Sequence, residues 1–303
     1  MRVLVLGSTG YLGGHVAGQL RPLAGVQVLG GGRCPSAEFE IDLASARADE
    51  LARILADAAP DAVINCAGAT GGDAVTLAEV NSRGPAVLCA ALRKAAPSAR
   101  LVHLGSAAEY GPGSLGVRVT ESASTNPQSV YGATKLAGTV AVTTSGLDAV
   151  VLRVGNPVGA GTPAASLPGR VAGLLREAGR ETGAVIRLGD LSAHRDFVDV
   201  RDVARAAVLA ARAPRALPGI LNIGGGRAVE VRDLVRTLVG VAGFLGRIEE
   251  SAGGSVRSGN VSWQCSDITA ARAALGWQPS YTLDDSLAAL WRATAPRESE
   301  RTP

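Results

Sequence analysis

Tyr131 and Lys135 stand four residues apart in the run Val130-Tyr131-Gly132-Ala133-Thr134-Lys135. On a helix this spacing places both on one face, one turn from each other. A phenol beside an ammonium is a proton-transfer pair. Burial raises a tyrosine pKa above its usual value of about 10, whereas one close cation lowers it by roughly 1–3. Such a tyrosine exchanges a proton with a carbonyl or alcohol oxygen near neutral pH. YxxxK alone is a weak pattern that solvated or packed helix faces also carry. It gains meaning from two stretches before it, Gly7-Ser8-Thr9-Gly10-Tyr11-Leu12-Gly13 and Gly105-Ser106.

The first stretch is the one that must position a reaction partner. Arg2 to Leu6 is a short apolar run ending at a glycine, which reads as a buried strand, and a helix follows to about Leu20. In that context Gly7 permits a tight turn, and Gly10 and Gly13 let backbone and helix approach closely. The backbone N–H groups around Thr9, Gly10, Tyr11 and Leu12 then face a pyrophosphate at a positive helix end. The spacing is GxxGxxG, a variant of the usual dinucleotide fingerprint. Which dinucleotide binds depends on the end of the second strand. There the chain reads Leu29-Gly30-Gly31-Gly32-Arg33, with no acid before Glu38. A carboxylate would select the ribose hydroxyls of NAD, whereas Arg33 pairs with a 2′-phosphate, so NADP(H) is expected over NAD(H). Arg33 reads equally as a solvated loop residue. Asp42-Leu43 follows the third strand where an adenine edge would lie. Asn65-Cys66-Ala67-Gly68 ends the fourth with small residues that leave room for a cofactor.

Further along, strands at 26–29, 37–41, 61–65, 101–105 and 149–154 alternate with helices at 47–58, 74–96 and 131–144. That alternation predicts an α/β, Rossmann-like, doubly wound parallel sheet with its ligand at the carboxyl ends of the strands. Residues 1–155 form the dinucleotide-binding domain in this reading. Residues 156–293 form mainly a smaller C-terminal substrate lobe, with Gly155 to Gly169 as a Gly/Pro-rich loop. That lobe carries a helix near Leu174, strands around Ile186, Phe197 and Ile220, and helices at 201–213, 230–242, 267–275 and 283–293. Residues 294–303 are read as a flexible tail.

Composition bounds the rest. The chain has 303 residues, 47% hydrophobic, with a net charge of +3, too small to suggest nucleic acid or a membrane surface as partner. Only Lys94 and Lys135 are lysines, against 28 arginines, so a lysine at 135 owes little to background composition. Cys34, Cys66, Cys89 and Cys265, and His15, His103 and His194, are scattered without metal-ligand spacing, so no metal is expected. No apolar run is long enough for a signal peptide or a membrane span, and a cytoplasmic protein is expected.

With these parts in order, the chain resembles the extended short-chain dehydrogenase/reductases of the NAD-dependent epimerase/dehydratase group, almost to Leu290. The likeness rests on Gly7–Gly13, Asp42-Leu43, Asn81, the run Gly105-Ser106-Ala107-Ala108-Glu109-Tyr110-Gly111, Tyr131xxxLys135, Arg153 to Gly159, and His194 to Ala204. It is strongest toward GDP-4-keto-6-deoxymannose reductases. The resemblance implies Tyr131 as acid/base, Lys135 as its pKa tuner and ribose ligand, and Ser106 as the hydroxyl orienting a substrate carbonyl, although Ser106 also suits a capping role. It implies Asn156, Arg195 and Arg257 as ligands of a nucleotide diphosphate. The segment Arg195 to Asp202 reads equally as inter-lobe packing. It further implies a homodimer built from helices 74–96 and 129–144. Where the group's 4,6-dehydratases carry Asp and Glu, this chain has Ala107 and Ala108, which move no proton, so dehydration by that route is not expected. Glu109 stands one place too late and suits a structural acid as well.

Three functions follow in order: NAD(P)H-dependent reduction of a keto group on a nucleotide-linked sugar, or on a related sugar or aminocyclitol; NAD-dependent nucleotide-sugar 4-epimerisation; and a non-catalytic NADP-binding module.

Overall fold

The computed structural model describes residues 1–34, 37–179, 181–251 and 261–295. The strands are β1 (Arg2–Leu6), β2 (Gln27–Gly32), β3 (Phe39–Glu40), β4 (Ala62–Asn65), β5 (Arg100–Ser106), β6 (Ala149–Val154), β7 (Asn156–Val158), β8 (Val185–Leu188), β9 (His194–Asp199), β10 (Ile220–Ile223), β11 (Ala228–Glu230) and β12 (Arg247–Glu250). The helices are α1 (Tyr11–Leu20), α2 (Ala48–Ala58), α3 (Ala74–Ala78), α4 (Gly84–Ala95), α5 (Val130–Thr143), α6 (Leu167–Ala178), α7 (Val200–Arg212), α8 (Val231–Ala242), α9 (Thr269–Leu275) and α10 (Leu283–Ala293).

Seven strands form a parallel sheet in the order β10-β6-β5-β4-β1-β2-β3. Its central strands are near-continuous aliphatic runs because both faces are covered. On one face Val16 and Leu20 of α1, Val203 and Ala207 of α7 and the fully buried Trp277 pack against Val3, Val5 and Ile64. On the other, Leu51 and Leu55 of α2, Leu88 and Leu92 of α4 and Val142 of α5 pack against Leu4, Leu6 and Leu101. A smaller C-terminal lobe has its own core, with Val171 and Leu175 of α6 against Leu234 and Leu238 of α8 and Leu287 and Leu290 of α10. Residues 200–223 and 269–277, which follow position 155, return to the sheet lobe, so the lobes interleave along the chain.

Local structure departs from the periodicity in three places. The stretch 74–96 is not one helix. Glu79–Arg83 is a π-helical turn between α3 and α4. Pro85 has no N–H to give the carbonyl of Asn81, so the α-helical ladder fails there. A Cβ at Gly138 of α5 would lie 2.2 Å from that carbonyl oxygen, so only glycine allows this close approach. The third strand shrinks to two residues, Phe39–Glu40. The Gly/Pro-rich stretch after Gly155 contains β7, which pairs with β9 through Asn156↔Phe197.

The segment from Arg195 to Asp202 fastens the lobes together. Asp196 accepts from the N–H of Gly225 at 2.6 Å and of Ser266 at 2.9 Å. Asp199 caps α7 and accepts from Ser286 Oγ at 2.7 Å. Asp202 accepts from the N–H of Ser280 and, through its carbonyl, from Trp277 Nε1. Burial pushes the Asp196 carboxyl up to about 6, against the N–H groups that favour its charge. No helix among the described residues is long and apolar enough to cross a membrane.

Candidate active site

The glycine turn between β1 and α1 is built for close approach. Gly7 has φ +74°, and a Cβ there would lie 3.1 Å from the N–H nitrogen of Ala67. A Cβ at Gly13 would lie 2.1 Å from Gly7 O, so the helix can start this near the strand only without a side chain. Gly10 is the N-cap and offers no side-chain hydrogen bond, which leaves the first N–H groups of α1 for a ligand. These features fit a dinucleotide pyrophosphate held by Thr9, Gly10, Tyr11, Leu12 and Gly13. Tyr11 Oη lies 3.0 Å from Thr162 Oγ1 and His15 Nε2 lies 2.9 Å from Ala160 O, which tie the loop after β7 to α1. Burial pushes the Tyr11 phenol up.

At the far end of this turn the two adenosine-side expectations take definite form. Arg33 is exposed after β2, and Glu38 Oε2 accepts from Gly30 N at 3.2 Å. Both carboxylate oxygens of Asp42 are occupied by its own turn, from Ala44 N at 3.2 Å and Ser45 Oγ at 3.0 Å, while Leu43 is buried.

Beside the turn, the loop Cys66-Ala67-Gly68 is held by two buried amides. Asn65 Oδ1 accepts from Ala67 N at 3.1 Å, and Asn81 bonds both the N–H and the carbonyl of Ala69, at 2.9 and 2.8 Å. Asn65 Nδ2 in turn donates to His103 Nδ1 at 3.1 Å. His103 is fully buried, and burial, reinforced by the Lys135 charge, keeps it neutral far below its ordinary pKa. The sequence places Asn65 at the end of the fourth strand beside the expected cofactor but gives no role to His103. A lone histidine in the apolar run Leu101 to Leu104 was the available signal.

Lys135 reaches back to the carboxyl end of β5, the strand that Ser106 closes, and Tyr131 precedes it by one turn of α5. Ser129 caps α5 through the N–H of Gly132 at 3.1 Å, which starts the helix one residue before Tyr131. Tyr131 is half-buried, and Lys135, one turn on, is 4% exposed. Its Nζ donates to Leu104 O at 2.5 Å. Burial lowers the Lys135 pKa from 10.5 to about 8, against the opposing charge of Glu109. The Cys66 thiol is pushed up to about 12 by burial. Two residues beyond Leu104, Ser106 Oγ accepts from Ala108 N at 3.2 Å and retains its hydrogen to donate. Capping and substrate orientation are therefore compatible roles for Ser106.

Glu109 has the structural role. Its Oε1 accepts from Ser106 N at 2.8 Å and its Oε2 from Arg153 Nε at 2.7 Å, and both side chains are buried. The Arg153 guanidinium lies 4.5 Å from the Tyr110 ring centroid, and Tyr110 Oη donates to Asn222 Oδ1 at 2.8 Å. This network fixes the turn that carries Ser106.

Arg195, the residue expected to meet a substrate diphosphate, is 9% exposed and, among the described residues, donates to His194 O at 2.9 Å. Burial pushes its guanidinium down from the ordinary value. Asn156 Nδ2 donates to Asp196 O at 3.1 Å and to Gln264 Oε1 at 3.2 Å, which places Gln264, a residue the sequence did not suggest, beside it. Arg257 lies outside the described residues. No group of three or more His, Cys, Asp or Glu suited to a metal ion occurs among the described residues.

Residues 3–224 match the NAD dependent epimerase/dehydratase family. The chain belongs to that family. It is 38% identical over 310 residues to a dTDP-6-deoxy-L-talose 4-dehydrogenase (NAD(P)(+)) of Kitasatospora kifunensis, covering 97% of this chain and 96% of that protein. It is 32% identical over 273 residues to a UDP-glucose 4-epimerase of Azospirillum brasilense, covering 80% and 78%. The solved structure of MoeE5 in complex with UDP-glucuronic acid and NAD superposes with a TM-score of 0.84 at 26% identity, covering 97% of this chain and 99% of that one. Family membership makes this chain an extended short-chain dehydrogenase/reductase that binds a nucleotide cofactor.

Proposed function

We propose that the protein reduces a keto group on a nucleotide-linked 4-keto-6-deoxy sugar with NADPH, and catalyses the reverse oxidation with NADP+. The observation that carries this reading is the convergence on β5: a buried Lys135 bonded to the Leu104 carbonyl, Ser106 two residues beyond, and Tyr131 one helical turn before the lysine. The 38% identity to a dTDP-sugar 4-dehydrogenase along nearly the whole chain supports the substrate class. The bound cofactor would supply the hydride. Ser106 donates its hydroxyl hydrogen to the keto oxygen and orients it. Tyr131 gives that oxygen its proton as negative charge develops, and the Lys135 ammonium stabilises the phenolate left behind. Arg33, which follows the three glycines that end β2, favours NADPH, and Arg195 meets the substrate's diphosphate. Ala107 and Ala108 carry no acid or base for water elimination.

A second reading is nucleotide-sugar 4-epimerisation, favoured by the likeness to the Azospirillum enzyme. One experiment separates the two. The purified protein is incubated with NADPH or NADH and a panel of dTDP-, GDP- and UDP-4-keto-6-deoxy sugars, following cofactor absorbance. Stoichiometric NADPH oxidation supports reduction. Protein that arrives with tightly held NAD, oxidises no added NADPH and interconverts 4-epimers overturns it.

The exposed face of α5 presents Ala133, Ala137 and Val140 at helical spacing, with Val130 exposed at its start and Val75 exposed on α3. We propose that this apolar face forms a homodimer, which light scattering after size exclusion would show as twice the chain mass.

A further inference from the structure

Lys135 is a buried ammonium with three hydrogens, one of which it gives to the Leu104 carbonyl. Two other buried polar atoms of the same layer have no partner among the described residues, His103 Nε2 and Thr139 Oγ1. His103 Nδ1 accepts from Asn65, so the neutral ring carries its hydrogen on Nε2 and must donate it. An unmet buried donor or hydroxyl costs about 1–3 kcal/mol, and native interiors rarely leave one.

All three groups belong to the packed layer between α5 and β5. Lys135 and Thr139 are four apart on α5 and so share its face toward β5. His103 and Gly105 share one face of β5, and the lysine bonds the carbonyl of the residue between them. A Cβ at Gly105 would lie 3.4 Å from Thr139 Oγ1 and 2.8 Å from Glu109 Oε1. The face of His103 therefore continues directly onto Thr139. The His103 ring also feels the Lys135 charge.

We propose that one buried water molecule sits beneath Lys135, accepting from Lys135 Nζ and His103 Nε2 and donating to Thr139 Oγ1, and that it keeps the ammonium charged. Water has the needed two lone pairs and a hydrogen for Thr139, with its second hydrogen directed toward the Glu109 carboxylate. The titratable and charged groups facing Lys135 are Glu109 from the turn after β5, Cys66 from the end of β4, His103 from β5, Tyr131 from its own helix, and Arg153 of β6 through Glu109. Cys66 and His103 are held neutral by burial, and Glu109 is committed to Arg153. The water is thus the component of the lysine's surroundings that a single hydroxyl deletion removes. Thr139 and His103 act here as positioning residues.

The chain contains only two lysines, so 13C-labelled lysine gives two Cε signals, with the exposed Lys94 as internal reference. The titration of Lys135 is followed by NMR in the wild type, Thr139→Val and Thr139→Ser, and the wild type and Thr139→Val are crystallised. The proposal expects an ordered water within hydrogen-bond reach of His103 Nε2 and Thr139 Oγ1, absent from Thr139→Val. It also expects a Lys135 pKa lowered by about 1, tenfold in proton affinity, in Thr139→Val and unchanged in Thr139→Ser. A high-resolution wild-type crystal with no water there, or a Lys135 titration identical in Thr139→Val, overturns it. If Thr139→Val does not fold, the wild-type crystal alone decides. None of these readouts depends on a substrate, so the hydration of Lys135 stands or falls apart from the proposed reaction.

Discussion

Lys135→Met should abolish a rise in stability with pH that the buried lysine causes. In the folded protein the Lys135 pKa is about 8, against 10.5 when unperturbed. Each unit is about 1.36 kcal/mol, so holding the charge at pH 7 costs the native state about 3 kcal/mol relative to a neutral lysine. A base whose folded pKa lies below its unfolded value binds fewer protons folded than unfolded between the two values. The penalty is therefore full below about pH 8 and fades as pH climbs toward 10.5. From about pH 7 to about pH 9.5 this one group should raise wild-type unfolding free energy by about 2 kcal/mol. Methionine has similar length and no proton, so the variant should lack that rise. Absolute stabilities at pH 7 are less telling, because the lost charge-assisted bond to Leu104 offsets part of the relieved penalty. The assay is urea unfolding of both proteins at the two pH values, with the wild-type minus variant difference as readout. A difference that does not change with pH would refute the burial argument. Reduction activity should fall by about 100- to 1,000-fold in the same variant, since the phenolate of Tyr131 loses its counter-charge.

Tyr131→Phe should lower kcat by about 100- to 10,000-fold and leave cofactor affinity, measured by fluorescence titration, unchanged. Arg33→Ala should weaken NADPH binding by about 10- to 100-fold while changing the NADH dissociation constant little, as isothermal titration would show. Glu109→Gln should cost about 3–5 kcal/mol in urea unfolding, because it leaves the buried Arg153 guanidinium without its carboxylate.

The sheet lobe was legible because its parallel strands are aliphatic on both faces and punctuated by glycine, as at Val3 to Gly7. Lys135 and Tyr131 were legible as a pair because an i,i+4 spacing has one meaning on a helix. What failed to show were features set by partners distant in sequence. Asn156–Val158 exists as a strand because β9 pairs with it, and its Asn-Pro-Val sequence gives no local sign of that. The π-turn at Glu79–Arg83 needed both Pro85 and the close approach of Gly138 from another helix. The sequence left Glu109 open between two roles, and only Arg153, from a strand 44 residues on, decides it. His103 and Asn65 are adjacent only through the register of β4 with β5.

The placement of β10 beside β6 bears on how the chain matures. The outer edge of β6, from Val151 to Val154, is completed only by Ile220–Ile223, and Trp277 seals the layer beneath. During synthesis a nascent chain ending near residue 155 would present an apolar, unpaired strand edge, a template for association with other chains. The nucleotide-binding half therefore cannot be expressed alone by cutting after β6. Fragments that retain residues through Trp277 should stay in solution where shorter ones precipitate.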